Sequence, residues 1–286
     1  MLTEVAIDTA ALRTLVYVGT IAAAGACLFA ATFPTAARSV ATALRWQIFV
    51  GALLILLVEP LRLILFQLAI SGGDAELAFG PDLRWMAFEM PNGQAAVARV
   101  AGVALIAVLG LRFLPAGLFG SAMVIGSYAL EGHTASSSQP VWASMALLLH
   151  VAVAHWWIGS LWPLAASVKA LPRSAVAATV ERFGHWATML VPVLLIAGGV
   201  LFLVVICWDA AFTSPYQQII AAKVATVVAL LAIATFNKFV ITPRLRTDPA
   251  GGAKVLRGSI AVEVALAFSI LVLTGFVTTT SPGSGH

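Results

Sequence analysis

Apolar residues along this chain gather into eight long stretches, at about 12–33, 46–70, 95–113, 117–130, 141–168, 184–208, 217–242 and 259–280. Charged residues, Pro, Gly and Ser collect in the short segments between them. A helix needs about 20 mostly apolar residues to cross roughly 30 Å of hydrocarbon. The fourth stretch is the weakest, because it is short, Gly and Ser interrupt it, and Glu131 and Gly132 bound it. Backbone amides in lipid must be satisfied within the segment, so runs of this kind are helices. None alternates in the way a barrel strand does. The pattern predicts an all-α, polytopic integral membrane protein: a single bundle of eight transmembrane helices forming one domain over residues 1–286.

The loops set the orientation. Loops one, three, five and seven hold Arg38, Arg45, Arg112, Lys169, Arg173, Arg182, Arg244, Arg246, Lys254 and Arg257. The even loops hold Asp74, Glu76, Asp82, Glu89, Glu131 and Asp209, with Arg84 as the base well inside one. Basic loops stay in the cytoplasm, which predicts that both termini are periplasmic. Glu4 and Asp8 precede the first span and no basic n-region does, an expectation against a cleaved signal peptide. The longest connection, about 71–94, is too short to fold alone and is expected to cap the bundle from outside.

Composition sharpens this picture. Of 286 residues, 61% are apolar and 10% charged, and mean hydropathy is +1.00. Soluble domains are closer to half apolar and a quarter charged, so a water-soluble enzyme, a disordered chain and a nucleic-acid-binding module are all excluded. The lipid bilayer is the expected partner. The 16 basic against 12 acidic residues fit basic cytoplasmic loops rather than a polyanion partner. Cys27 and Cys207 sit in apolar runs, which argues against a disulfide framework. There is no P-loop, GxGxxG, CxxC, HExxH or CxxCH. Nothing here hydrolyses nucleotide, and the reading is of a protein that is not an enzyme.

The informative residues are then the polar ones in the wrong solvent. A charge at the bilayer centre costs about 2.5–3.5 kcal/mol or more and tends to face the bundle interior. Glu59 and Arg62, at i,i+3 around Pro60 in the second span, share one helix face. They fit either a polar pathway opened by a proline kink or an internal ion pair that staples helices. His150 and His155 both lie in the fifth span, about 140° apart, so they do not share one ligand position. Counting from Trp142, His150 lies roughly 12 Å below the outer surface, and His155 lies near the midplane. Each fits a metal ligand or a histidine hydrogen-bonded across helices.

Nitrogen and sulfur ligands also collect on the outer side: His133 in the fourth loop, Met86 and Met90 in the second, Met145 and Cys207 at span ends. Together they suit Cu(I), whereas hard cations want clustered carboxylates. Each sulfur taken singly is also an ordinary packing residue. His133, in an exposed loop, has no packing reason to be there. Glu263 is expected to pair with Lys238 or Arg257 across helices, and Trp156 and Trp157 to pack the core or a cofactor. His185 lies at the inner end of the sixth span.

The ordered motifs resemble those of the CopD copper-resistance membrane proteins over almost the whole chain. Gly51, Glu59-Pro60-Leu61 and Gln67, then Gly93 and Arg99, are similar to that family's second and third spans. Gly132-His133-Thr134-Ala135-Ser136 resembles its outer Gly-His loop, and His150, Trp157, Gly159 and Leu161 its His–Trp-x-Gly-x-Leu helix. Arg182-Phe183, Tyr216, Lys223, Asn237-Lys238, Leu256-Arg257-Gly258-Ser259 and Glu263 complete the resemblance. His155 stands where the family usually has a small apolar residue, and Gly184 where it usually has Ser. The resemblance implies a bacterial inner-membrane protein of copper handling that works with a separate periplasmic carrier of the CopC type.

Copper uptake is thus the leading reading, with capture by His133, Met86, Met90, Met145 and Cys207, transfer to His150, and Glu59 and Arg62 along or beside the path. The alternative is a membrane electron-transfer protein holding b-type haem with His150, His155 or His185 as axial ligands, His155 with His185 being one possible pair, since haem needs ligands on opposite ring faces.

Overall fold

A computed structural model of the chain describes residues 2–74, 76, 81–131, 141–205 and 215–279. The described residues are almost wholly helical. The helices are α1 (Leu2–Thr32), α2 (Pro34–Ser39), α3 (Ala41–Ile70), α4 (Pro81–Glu89), α5 (Pro91–Leu109), α6 (Leu114–Gly126), α7 (Val141–Ala170), α8 (Arg173–Val205), α9 (Pro215–Phe236), α10 (Thr242–Thr247) and α11 (Pro249–Val277). A 3-10 turn, Ser127–Leu130, closes α6, and a π-turn, Asn237–Ile241, joins α9 to α10. Among the described residues, seven helical segments are long and apolar enough to cross a membrane. They answer to seven of the eight expected spans. The fourth expected span is the shorter apolar element Leu114–Leu130, consistent with its interruption by Gly and Ser.

Three boundaries move by ten residues or more: the first and eighth spans, expected from residues 12 and 259, belong to helices that begin at Leu2 and Pro249. The sixth span, expected from residue 184, belongs to a helix that begins at Arg173. Charge marked where lipid should end, not where the helix should end. Ser174–Phe183 is rich in Ala and other tolerable helix formers, so the helix runs on past the apolar stretch. Its 33 residues span about 50 Å at 1.5 Å per residue, more than the hydrocarbon requires. Arg173 and Arg182 therefore sit on helix, not in a loop. The segment 71–94, taken as an outer connection, contains α4.

α1 is the central helix, packed against α3, α5, α6, α7 and α11. Lipid tails supply no hydrophobic drive between helices, so close approach depends on small residues. At the α1–α7 crossing a Cβ on Gly25 would fall 2.5 Å from the Cα of Gly159, and one on Gly159 would fall 2.6 Å from the Cα of Gly25. That crossing brings two carbonyls together, and the Gln47 amide of α3 donates to both, Ala22 O at 3.0 Å and Gly159 O at 2.8 Å. α5 and α6 meet in the same way at Gly102 and Gly120. α8 leans on α7, and α9 on α11.

The π-turn follows from local chemistry. The backbone N–H of Thr242 reaches back five residues to Asn237 O, the Thr242 hydroxyl donates to the same oxygen at 2.8 Å, and Pro243, next in the chain, has no N–H to offer. Nearby, Glu263 is buried, but its side-chain partner is Asn237. The expected pairing with Lys238 or Arg257 does not form; Lys238 donates to Thr188 Oγ1 and lies over the Phe239 ring. An amide on the facing π-turn reaches the carboxyl where the lysine stem points away.

Candidate functional site

Pro60 lies inside α3, directly after Glu59. One turn on, Arg62 Nη1 donates to Glu59 Oε2 at 2.8 Å. The other carboxylate oxygen, Oε1, accepts from Arg99 Nη1 of α5 at 2.6 Å. Arg99 is fully buried and its fork is completed elsewhere. Nη2 donates to Glu131 Oε2 at 2.6 Å and Nε to Ser127 Oγ at 2.9 Å. The guanidinium also lies 4.9 Å over the Tyr128 ring. Arg62 approaches Glu131 Oε1 at 3.6 Å. Two acids and two bases thus close a neutral tetrad across α3, α5 and the 3-10 turn.

A buried charge is tolerated only when paired and hydrogen-bonded. Every carboxylate oxygen here lies against a guanidinium nitrogen. Burial pushes the Glu131 carboxyl up, but Arg99, with help from Arg62 and Arg13, outweighs it and holds the group below its usual range. Glu59 and Arg62 form an ion pair within α3, and Arg99 joins Glu59 to α5 and to Glu131. Their partners Arg99 and Glu131 went unpredicted, although a base inside an apolar span was itself a signal.

The two histidines of α7 point to different neighbours, as their spacing requires. His155 is 3% exposed. Its Nδ1 meets Val151 O at 2.8 Å, and a carbonyl only accepts, so Nδ1 carries the proton. The ring stands edge-on to Tyr128, centroids 5.8 Å apart, and Tyr128 in turn bonds Thr20 Oγ1 at 2.7 Å. His155 Nε2 has no partner among the described residues. His150 faces α8 instead, with Nδ1 donating to Leu194 O at 3.0 Å. Lys223 of α9 is close enough to act on it electrostatically. In both rings a main-chain oxygen fixes the tautomer and leaves Nε2 with its lone pair.

The other candidates are scattered. His185 is exposed on α8 while His155 is buried against Tyr128, so the pair proposed for haem is not brought together. Trp156 stacks on Phe183 and donates to Thr32 Oγ1 at 3.1 Å, which is core packing. Met86 is buried on α4, and Met90, half-buried, sits at the α4–α5 junction with its N–H on Met86 O. Met145 is 59% exposed on α7. His133 and Cys207 lie outside the described residues. Among the described residues no three of His, Cys, Asp and Glu gather closely enough to hold a metal ion.

Comparison with known proteins decides the family. The profile described as "Copper resistance protein D-like, N-terminal domain" matches residues 4–141, and that described as "Copper resistance protein D" matches 177–277. The chain belongs to the copper resistance protein D family. It is 27% identical over 258 residues to the Copper resistance protein D of Pseudomonas syringae pv. tomato, covering 81% of this chain and 82% of that protein. No solved structure matches the chain significantly. Membership gives this membrane protein a copper-related role, and nothing in the comparisons favours haem.

Proposed function

We propose that the protein carries copper inward across the bacterial inner membrane, as cargo and without covalent chemistry. In this reading the chain is one transmembrane domain over residues 1–286, with Leu114–Leu130 as its eighth span and both termini periplasmic. The distribution of Arg and Lys over the odd loops supports that orientation. A separate periplasmic carrier of the CopC type delivers the ion. His133 captures it, with Met86, Met90, Met145 and Cys207 as the soft ligands of the outer side, and passes it to His150. Exchanging water for soft ligands lowers the cost of entering hydrocarbon. Glu59 and Arg62 stand beside the path and hold its walls.

The observation that carries the reading is the state of His150 in a family named for copper. Its Nδ1 proton is committed to Leu194 O, which leaves a neutral imidazole whose Nε2 is available to a metal. Metal-ligating histidines are oriented in this way by a partner on the other nitrogen. The test is copper accumulation in cells expressing His133→Ala or His150→Ala. Each variant is expected to abolish copper-dependent accumulation while still reaching the membrane. Normal accumulation by both overturns the assignment, and purified protein with a haem Soret band and no copper overturns the function.

A further inference from the structure

We infer that Gly198 is a positioning residue for copper binding: by lacking a side chain it seats the His150 ring on α8 and so fixes which nitrogen meets the metal. The inference rests on the proposed role of His150 and goes beyond it, because it assigns a determinant on a different helix. α8 contains two adjacent glycines, Gly198 and Gly199, and they differ in what surrounds them. A Cβ on Gly198 would lie 3.1 Å from both Cε1 and Nδ1 of His150. A Cβ on Gly199 would meet nothing within 4 Å. The helix thus has one glycine with a neighbour that needs the space and one without.

The neighbour is the edge of the ring that makes the tautomer-fixing bond. His150 Nδ1 donates to Leu194 O at 3.0 Å, and Leu194 lies one turn before Gly198 on the same face of α8. A carbonyl has two lone pairs and can accept from the helix and the ring together. A methyl at 198 pushes on Nδ1 and Cε1, away from that carbonyl. The ring must move by a few tenths of an ångström, enough to stretch a bond that is now of ordinary length at 3.0 Å. Once the bond weakens, Nδ1–H loses its anchor, and the imidazole can turn or exchange tautomer. Nε2 is then no longer held as the ligand atom. Loss of an outer-shell partner of this kind typically lowers metal affinity about 10–100-fold.

Gly→Ala in a helix interior ordinarily favours the helix, so a defect at 198 is separable from unfolding. The test uses full-length protein in detergent, titrated with Cu(I) buffered by a chromophoric chelator. It compares Gly198→Ala, Gly199→Ala and His150→Ala with the parent chain. Gly198→Ala is expected to bind Cu(I) at least about tenfold more weakly, with an unchanged melting temperature. Its histidine 15N spectrum should show the His150 resonance, assigned by its absence in His150→Ala, moving from the Nδ1–H pattern toward mixed tautomers. Gly199→Ala should match the parent in both respects. If His150→Ala removes the site while Gly198→Ala binds and resonates like Gly199→Ala, this inference falls and the copper reading stands. If His150→Ala binds Cu(I) like the parent, the copper reading falls and takes the inference with it.

Discussion

Around α1, α3 and α5 the protein pairs buried charges with one another, whereas the spans of α8 and α9 bury little of their surface within the chain. In α1, 67% of the spanning window is buried within the chain, against 11% in the span of α8 and 6% in the span that begins with α9. The first region contains Arg99, Glu59, Arg62 and Glu131, bound to one another. At the border with the second region, His150 uses one ring nitrogen on Leu194 O and keeps the other free. A closed charge network rigidifies and specifies packing. A ring tied at one nitrogen is oriented and still reactive. In this bundle the most costly polar groups are thus held by one another, while the His150 ring is held at one nitrogen.

The sharpest way to break this contrast is to open the network. Arg99→Met strips two carboxylates of their buried base and should destabilise the protein by about 3–5 kcal/mol, measured by denaturant unfolding in detergent. Parent-like stability would mean that the tetrad staples nothing. Gly25→Ala forces α1 and α7 apart where their backbones touch. It should cost about 1–3 kcal/mol as an overpacked contact, readable in the same unfolding assay.

A smaller effect lies at the rim of the network. The folded Glu131 carboxyl titrates below its ordinary value because of Arg99 and Arg62. Its contribution to stability is therefore complete above the ordinary carboxylate range and is lost as pH falls through the lower, folded value. Thermal melting from neutral to acid pH should show this loss, and Glu131→Gln should flatten that part of the profile. An acid limb identical in the variant would assign the effect to other groups. The smallest change is expected at the exposed pair Arg246–Glu181, with Nε–Oε1 at 2.7 Å. Solvent screens such pairs, so Glu181→Gln should leave the melting temperature where it was.

Most of the helices were readable because the bilayer imposes a length and forbids unpaired backbone. The ends were less so: the start of α8 at Arg173 shows that a helix outlasts its apolar stretch when the interfacial residues also favour helix. Within the site, Glu59 and Arg62 were legible from their i,i+3 spacing. Arg99 and Glu131 were not joined to them, because they lie 40 and 72 positions beyond Glu59 and nothing local encodes which helices become neighbours. Likewise the separation of His150 from His155 followed from helical geometry alone. The partners that make one face α8 and the other face Tyr128 did not.

The sequence by itself determined that this chain lies in a membrane, roughly where it crosses, and which residues are out of place in hydrocarbon. These are properties of short windows, fixed by transfer energies and by the helical repeat. Only the tertiary structure decided which charges cancel, which carbonyl holds each imidazole and why Gly198 differs from Gly199. Those facts depend on contacts between helices distant in the chain, where a few tenths of an ångström separate a seated ring from a displaced one.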